Sequence, residues 1–185
     1  NTLIFYLGLF YLFKLFFKVL DNSFYSITAV ILFFASPVIA YYGNNYLTDS
    51  TALSLAFVAL YHFYKFYKEK SILNYLYSIL FYFLAGSCKI SALISFVAIM
   101  SIFFLDIVSV TKLGLKEMFF KNKVKIILPL ILLVGIILSW ILYAKYYNKI
   151  HGSGYFSTSI LPIWSLDKKG IDDILYAMGN LWLNQ

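Results

Sequence analysis

The sequence predicts an all-α fold, a polytopic transmembrane helical bundle of about six spans with a C-terminal extracytoplasmic loop and an interfacial helix. Three observations carry that prediction. Hydrophobic residues make up 62% of the 185 positions and charged residues 12%, where a soluble domain carries about 25% charge. Apolar runs close to the ~20 residues needed to cross a bilayer recur along the chain. The lysines between those runs gather at alternate run ends, as the positive-inside effect requires.

The elements follow in order. Six spans are expected at Thr2–Leu20, Ser23–Tyr42, Leu47–Phe66, Ser71–Ser87, Ile90–Val110 and Ile126–Tyr146. This threading puts Lys14, Lys18, Lys65, Lys68, Lys70, Lys112, Lys116, Lys121, Lys123 and Lys125 on one side, expected to be cytoplasmic. Lys14 and Lys18 lie inside the nominal first span and reach its inner end by snorkelling. The opposite side receives the 43–50 loop, the tight corner "AGSCK" and everything after Tyr147. The loop "VTKLGLKEMFFKNKVK" is basic with apolar residues interleaved, an orientation signal that also suits a short helix along the inner leaflet. After Tyr147 the chain turns polar and rich in Gly, Ser and Pro, so residues 1–147 read as a membrane bundle and 148–185 as an extracytoplasmic region. Within that region Ile171, Ile174, Leu175, Met178, Leu181 and Trp182 recur at helical spacing. Asp172 and Asp173 are expected in the first turn of this helix, with Trp164 and Trp182 near the headgroups.

Composition narrows the function. All fifteen basic residues are lysines, so a phosphate would be held by ammonium groups and backbone amides and not by guanidinium forks. The formal charge of +7 does not make a nucleic-acid partner, because most of the lysines flank apolar runs. The single cysteine, Cys88, excludes an intrachain disulfide and a cysteine metal cluster. Asn1 is not an initiator Met, and both ends read as cuts through a longer membrane protein.

Asp49, in "NNYLTDST", is the acidic residue that asks for an explanation, since it stands where the third span begins. A carboxylate at bilayer centre costs roughly 2.5–3.5 kcal/mol on insertion scales, less at the interface. Lys89 is its counterpart. Eighteen residues separate it from Lys70, about 27 Å of helix, which returns it to the depth of Asp49. An ammonium at a helix start opposes the helix dipole unless it shares an anion with the first-turn amides. Plainer readings stand beside this one: Asp49 as a helix-start residue, Lys89 as an interface lysine, or the two simply paired. His62, among aromatics, reads as a packed or interfacial histidine. His151, beside Gly152 and Gly154, is a candidate contact to substrate or metal.

The stretch "ASPVIAYYGNNYLTDSTALSLAFVALYHFYKF" resembles a segment of the polytopic GT-C-type glycosyltransferases. It is most similar to the superfamily of dolichyl-phosphate-mannose-protein mannosyltransferases and aminoarabinose transferases. "FLAGSCKISALISF" and "SWILYAKYYNKIHGSGYFSTSILPIW" resemble the features that follow in that family, in the same order. The resemblance implies sugar transfer from a polyprenyl-phosphate-linked donor to an acceptor on the extracytoplasmic face, in a bacterial inner membrane. It implies that Asp49 matches a second acidic position near donor phosphate, a divalent metal ion or acceptor, and that Lys89 matches a phosphate-contacting lysine. It also implies that the main catalytic acid lies upstream of this chain, so that the piece alone is inactive. Competing classes are a transporter or lipid flippase, a polysaccharide polymerase or ligase, and a non-catalytic membrane scaffold.

Overall fold

The computed structural model describes residues 1–45, 48–111, 113–152 and 166–182. Among these residues the secondary structure is helical throughout: α1 Thr2–Leu20, α2 Ser23–Phe34, α3 Pro37–Asn44, α4 Thr48–Glu69, α5 Ile72–Cys88, a 3-10 turn Ile90–Leu93, α6 Ile94–Ile107, α7 Lys116–Lys121, α8 Lys123–His151 and α9 Lys168–Trp182. The chain forms two compact units, Asn1–Leu138 and Ser139–Gln185.

In the first unit local chemistry sets the turns. Asp21 ends α1 in the left-handed region (φ 48°), and its N–H reaches the Phe17 carbonyl. Asn22 then caps α2, accepting from the Tyr25 N–H at 3.2 Å. Pro37 stops what the sequence suggested was one straight second span. It has no N–H to continue the ladder, and its ring meets the carbonyl four residues earlier. The chain therefore bends by 77° between α2 and α3, with Pro37 at the start of the new helix, where its fixed φ fits.

α4 is the centre of this unit, packed along α5 and α1. Ten of its side chains are buried, among them the small residues Ser50, Thr51, Ala52, Ser54, Ala56 and Ala59. Small side chains let helices approach closely. A Cβ added to Gly8 of α1 would stand 2.4 Å from the Ser54 Cβ, so only glycine fits there. Tyr75 and Tyr82 of α5, both 0% exposed, fill the other side, and the Tyr75 hydroxyl donates to the Ile126 carbonyl of α8 at 2.9 Å.

Outward faces are apolar. Leu3, Phe24, Ile94, Val97 and Val124 are between 62% and 87% exposed, a pattern suited to lipid as solvent. Among the described residues three segments are long and apolar enough to cross a membrane, namely Thr2–Leu20, Ile90–Ile107 and Lys123–His151, and a fourth is added if the bent pair α2–α3 counts as one span. Of the six expected spans these correspond to the first, the fifth and the sixth, and to the second if the bent pair is counted. α4 has the length, at 22 residues, but it carries Ser, Thr, Tyr, His and Lys; a helix surrounded by protein has no need to be apolar all round. α5 has 17 residues, about 26 Å, short of a ~30 Å hydrocarbon core.

Lys14 does not simply reach for water. Its ammonium lies 5.1–5.3 Å from the ring centroids of Phe10, Tyr11 and Tyr61, a cation held against aromatic faces. His62 is packed, as expected: its ring meets those of Tyr11, Tyr61, Tyr77 and Phe81, and its Nδ1 is 3.2 Å from the Asn74 Oδ1.

In the second unit α8 runs on to His151 and ends at Gly152 in the left-handed region (φ 58°). α9 begins earlier than its apolar spacing suggested. Asp167 initiates it, accepting from the Gly170 N–H at 2.8 Å, while Asp172 and Asp173 fall beyond the first turn. Ile171, Ile174, Leu175 and Met178 remain 40–59% exposed. The polar loop expected between the two helices, with Trp164 and Gly154, lies outside the described residues.

Candidate functional site

Asp49 enters through the first turn of α4, where a carboxylate faces the positive end of the helix dipole. Lys89 enters from a one-residue corner between α5 and the 3-10 turn. Its backbone is extended (φ −157°, ψ 122°). Its N–H closes α5 on the Ala85 carbonyl at 2.9 Å, and its carbonyl accepts from the Ala92 N–H at 3.0 Å. The corner is fixed from both sides, so the side chain leaves it in a set direction. α4 runs one way and α5 returns, and the Lys89 ammonium forms an ion pair with the Asp49 carboxylate. The depth argument from residue counting put the two at one level, and the structure brings them into contact. Both side chains are half-exposed, 45% for Lys89 and 39% for Asp49, so solvent weakens their attraction and leaves them accessible.

Beside the pair is a cleft of about 280 Å³ lined by Phe5 of α1, Val38, Ile39 and Tyr42 of α3, and Asp49, Ser50 and Leu53 of α4. Asp49 is the one charged residue of that lining. The bend at Pro37 is what builds the cleft, because it lays α3 across the start of α4. Gly43 permits the close fit: a Cβ there would stand 2.3 Å from the Phe5 ring. The rim is tied by Asn1, whose side chain accepts from the Thr51 hydroxyl at 2.9 Å and donates to the Asn45 carbonyl at 3.4 Å. The result is an apolar recess with an acid–base pair at its edge, an arrangement able to take an amphiphile with an anionic or hydroxyl-bearing head.

His151 belongs to the second unit. It is the last residue of α8, its ring stacked on Tyr147 at 4.1 Å between centroids, with its Nδ1 3.1 Å from the Tyr147 carbonyl. These contacts hold it to the end of its own helix. Among the described residues no group of three His, Cys, Asp or Glu side chains gathers as a metal site. A carboxylate already neutralised by an ammonium, as Asp49 is, suits a hard dication poorly. Cys88, beside Lys89 in the chain, is a free and partly covered thiol.

Sequence reasoning missed Asp106. It lies near the end of α6, only 2% exposed, and organises the loop that follows. It accepts from the N–H groups of Leu113 (2.5 Å), Leu115 (2.7 Å) and Lys116 (3.2 Å) and from the Thr111 hydroxyl (3.2 Å). Ser109 and Gly114 take positive φ (65° and 73°) to turn the loop around it. Lys70 grips the outside, donating to the Leu113 carbonyl at 3.0 Å. The signal was present: an acidic residue in the apolar run "IFFLDIVSV" demands a partner just as Asp49 does. Here the partner is backbone, and the role is structural.

Comparison with family models, with curated proteins and with solved structures gives no match for this chain.

Proposed function

We propose that the chain is part of a membrane glycosyltransferase that takes its sugar from a polyprenyl-phosphate-linked donor and works on the extracytoplasmic face of a bacterial inner membrane. The observation that carries the reading is the half-exposed Asp49–Lys89 pair at the edge of an apolar cleft. The proposed chemistry breaks the bond between the sugar's anomeric carbon and the donor phosphate oxygen. It forms a bond from that carbon to an acceptor hydroxyl oxygen, whose proton passes to a carboxylate base. The Lys89 ammonium turns from Asp49 to the phosphate as charge builds on the leaving group. Asp49, released, accepts a hydrogen bond from the acceptor or the sugar. By the family arrangement that the sequence resembles, the base itself comes from a loop preceding this chain. The apolar cleft suits the first isoprene units of the donor.

The test uses the natural protein at full length in liposomes, with a polyprenyl-phosphate sugar and an extract of envelope acceptors. Wild type is expected to transfer sugar. Lys89→Met is expected to lose affinity for polyprenyl phosphate as well as transfer, and Asp49→Asn to lose mainly transfer. Normal transfer in both variants would reduce the pair to a helix-end ion pair and sink the proposal.

One observation favours a second reading, transport of a lipid-linked or small anionic substrate. The 77° break between α2 and α3 is the kind of interrupted helix that transporters use to form a binding site. Substrate movement across the liposome membrane without any change in its covalent structure would select that reading.

A further inference from the structure

A second site lies at the other end of α4, some thirty ångströms of helix from Asp49 by the ~1.5 Å rise per residue. Leu15 of α1, Leu60, Tyr64 and Tyr67 of α4, Ile99 of α6 and Leu113 of the loop around Asp106 line an apolar groove of about 300 Å³. Its rim is cationic. The Lys68 ammonium lies 5.7 Å from the Tyr64 ring centroid and 5.3 Å from that of Tyr67, and the Lys70 ammonium lies 5.1 Å from Tyr67. Two lysine ammoniums thus lie within 5.3 Å of the Tyr67 ring centroid. The Tyr64 hydroxyl donates to the Lys18 carbonyl at 3.0 Å, which draws the end of α1 to the same rim.

Two acids of this region, Glu69 and Asp106, are committed elsewhere. Glu69 pairs with Lys65 at 3.4 Å and accepts from Asn74 at 3.0 Å. Asp106 is taken up by the backbone of its loop. Among the described residues no carboxylate, Asp21 and Glu117 included, forms an ion pair with Lys68 or Lys70, and Lys70 is held by a carbonyl and an aromatic face. Burial pulls the Lys70 ammonium below its ordinary pKa, against the opposing pull of Asp106; an anion at the rim would restore it.

We propose that this groove holds an acyl chain of an anionic glycerophospholipid whose phosphate sits between Lys68 and Lys70. The chemistry is complementary along its whole length. An apolar slot flanked by spanning helices receives hydrocarbon, and the lysines at its end stand where a headgroup would. A zwitterionic lipid offers the same chain and phosphate but brings its own ammonium to the rim. The site is independent of the Asp49–Lys89 pair and of the activity proposed for it.

The experiment is native mass spectrometry of the full chain in detergent, titrated with phosphatidylglycerol or phosphatidylcholine of equal chain length. Wild type is expected to retain phosphatidylglycerol roughly tenfold better, the scale set by lysines near an anionic headgroup. Lys68→Gln, which touches no backbone, should lose about half of that preference on a logarithmic scale. Lys68→Gln with Lys70→Gln should abolish it while phosphatidylcholine retention stays unchanged. Leu60→Trp, which fills the slot, should lower both lipids. Glycerol phosphate should not displace the lipid, because it brings no chain. Equal retention of the two lipids by wild type would overturn the proposal. So would a preference that survives the double lysine variant, or one lost equally in Lys121→Gln with Lys123→Gln. A groove closed by a second copy of the chain, seen as a dimer without lipid preference, would overturn it too.

Discussion

Replacing Asp106 by Ala should release the loop between α6 and α7. The carboxylate serves three backbone N–H groups and one hydroxyl. The Leu113 and Leu115 bonds are short, and Leu115 itself is 1% exposed, so water cannot readily replace the lost acceptor there. Hydrogen bonds to a charged group contribute roughly 1.5–3 kcal/mol each. The two longer bonds, at 3.2 Å, count for less. Part of the gain is offset by the desolvation of the carboxylate, and the net loss is about 3 kcal/mol. The assay is limited trypsin cleavage after Lys116, which reports the open population when closing is fast. A loss of that size corresponds to roughly a 150-fold rise in cleavage rate. Asp106→Asn keeps the shape and one acceptor, and should raise the rate about tenfold. Thr111→Val removes one 3.2 Å bond and should change it less than about fivefold. A rise under threefold for Asp106→Ala, with an unchanged unfolding midpoint, would refute the account of how this loop is held.

Other consequences can be measured on the same preparation. Gly8→Val puts a branched side chain where a single Cβ already meets Ser54 at 2.4 Å; separating α1 from α4 should cost about 1–3 kcal/mol in a reversible SDS unfolding titration. A shift too small to measure would mean that α1 does not approach α4 as described. Tyr75→Phe leaves the packing intact and removes the bond to the Ile126 carbonyl, a loss near 1 kcal/mol in the same titration. Asp167→Ala should speed hydrogen exchange at the Gly170 and Ile171 amides by roughly fivefold, since a lost helix cap costs about 1 kcal/mol; unchanged exchange would remove Asp167 from that role.

How far the sequence could be read depended on whether a feature was local. The span breaks around Asp21–Asn22 and before Ser71 were visible, because the apolar runs stop at adjacent polar residues there. The common depth of Asp49 and Lys89 was visible too, since it follows from counting residues along two helices that run in opposite directions; that the two touch was one of several readings left open. The size of the bend at Pro37 was not legible, because hydropathy averaged across "FFASPVIA" keeps Ser23–Tyr42 as one apolar run across a break that one missing N–H produces. The internal place of α4 was not legible in the same way. Its polarity is that of a helix covered by neighbours, and which neighbours cover it is decided by side chains far away in the chain. Lys14 illustrates the same limit: its three aromatic neighbours include Tyr61, forty-seven residues distant.

Asp49 and Asp106 are the same side chain in the same kind of apolar setting, and they differ in how their oxygens are held. Asp106 is buried, its oxygens are taken by donors that are part of the main chain, and nothing is gained by moving any of them. Asp49 is half-exposed, it borders a cleft, and among the described residues its partner is a single ammonium on a flexible stem. Such a pair adds at most about 1 kcal/mol to stability. The helix dipole alone accounts for a carboxylate at the start of α4, but it gives no reason for an ammonium at the start of the next apolar run. Removing Lys89 should therefore leave the fold as stable as before, and removing Asp49 should weaken it slightly. If the pair were structural, removing Lys89 would cost what the pair adds, and removing both would cost no more than removing Asp49 alone. The stability of the Lys89 variant is what distinguishes a lysine kept for the fold, whose loss has a cost, from one kept for an anion that comes and goes, whose loss has none.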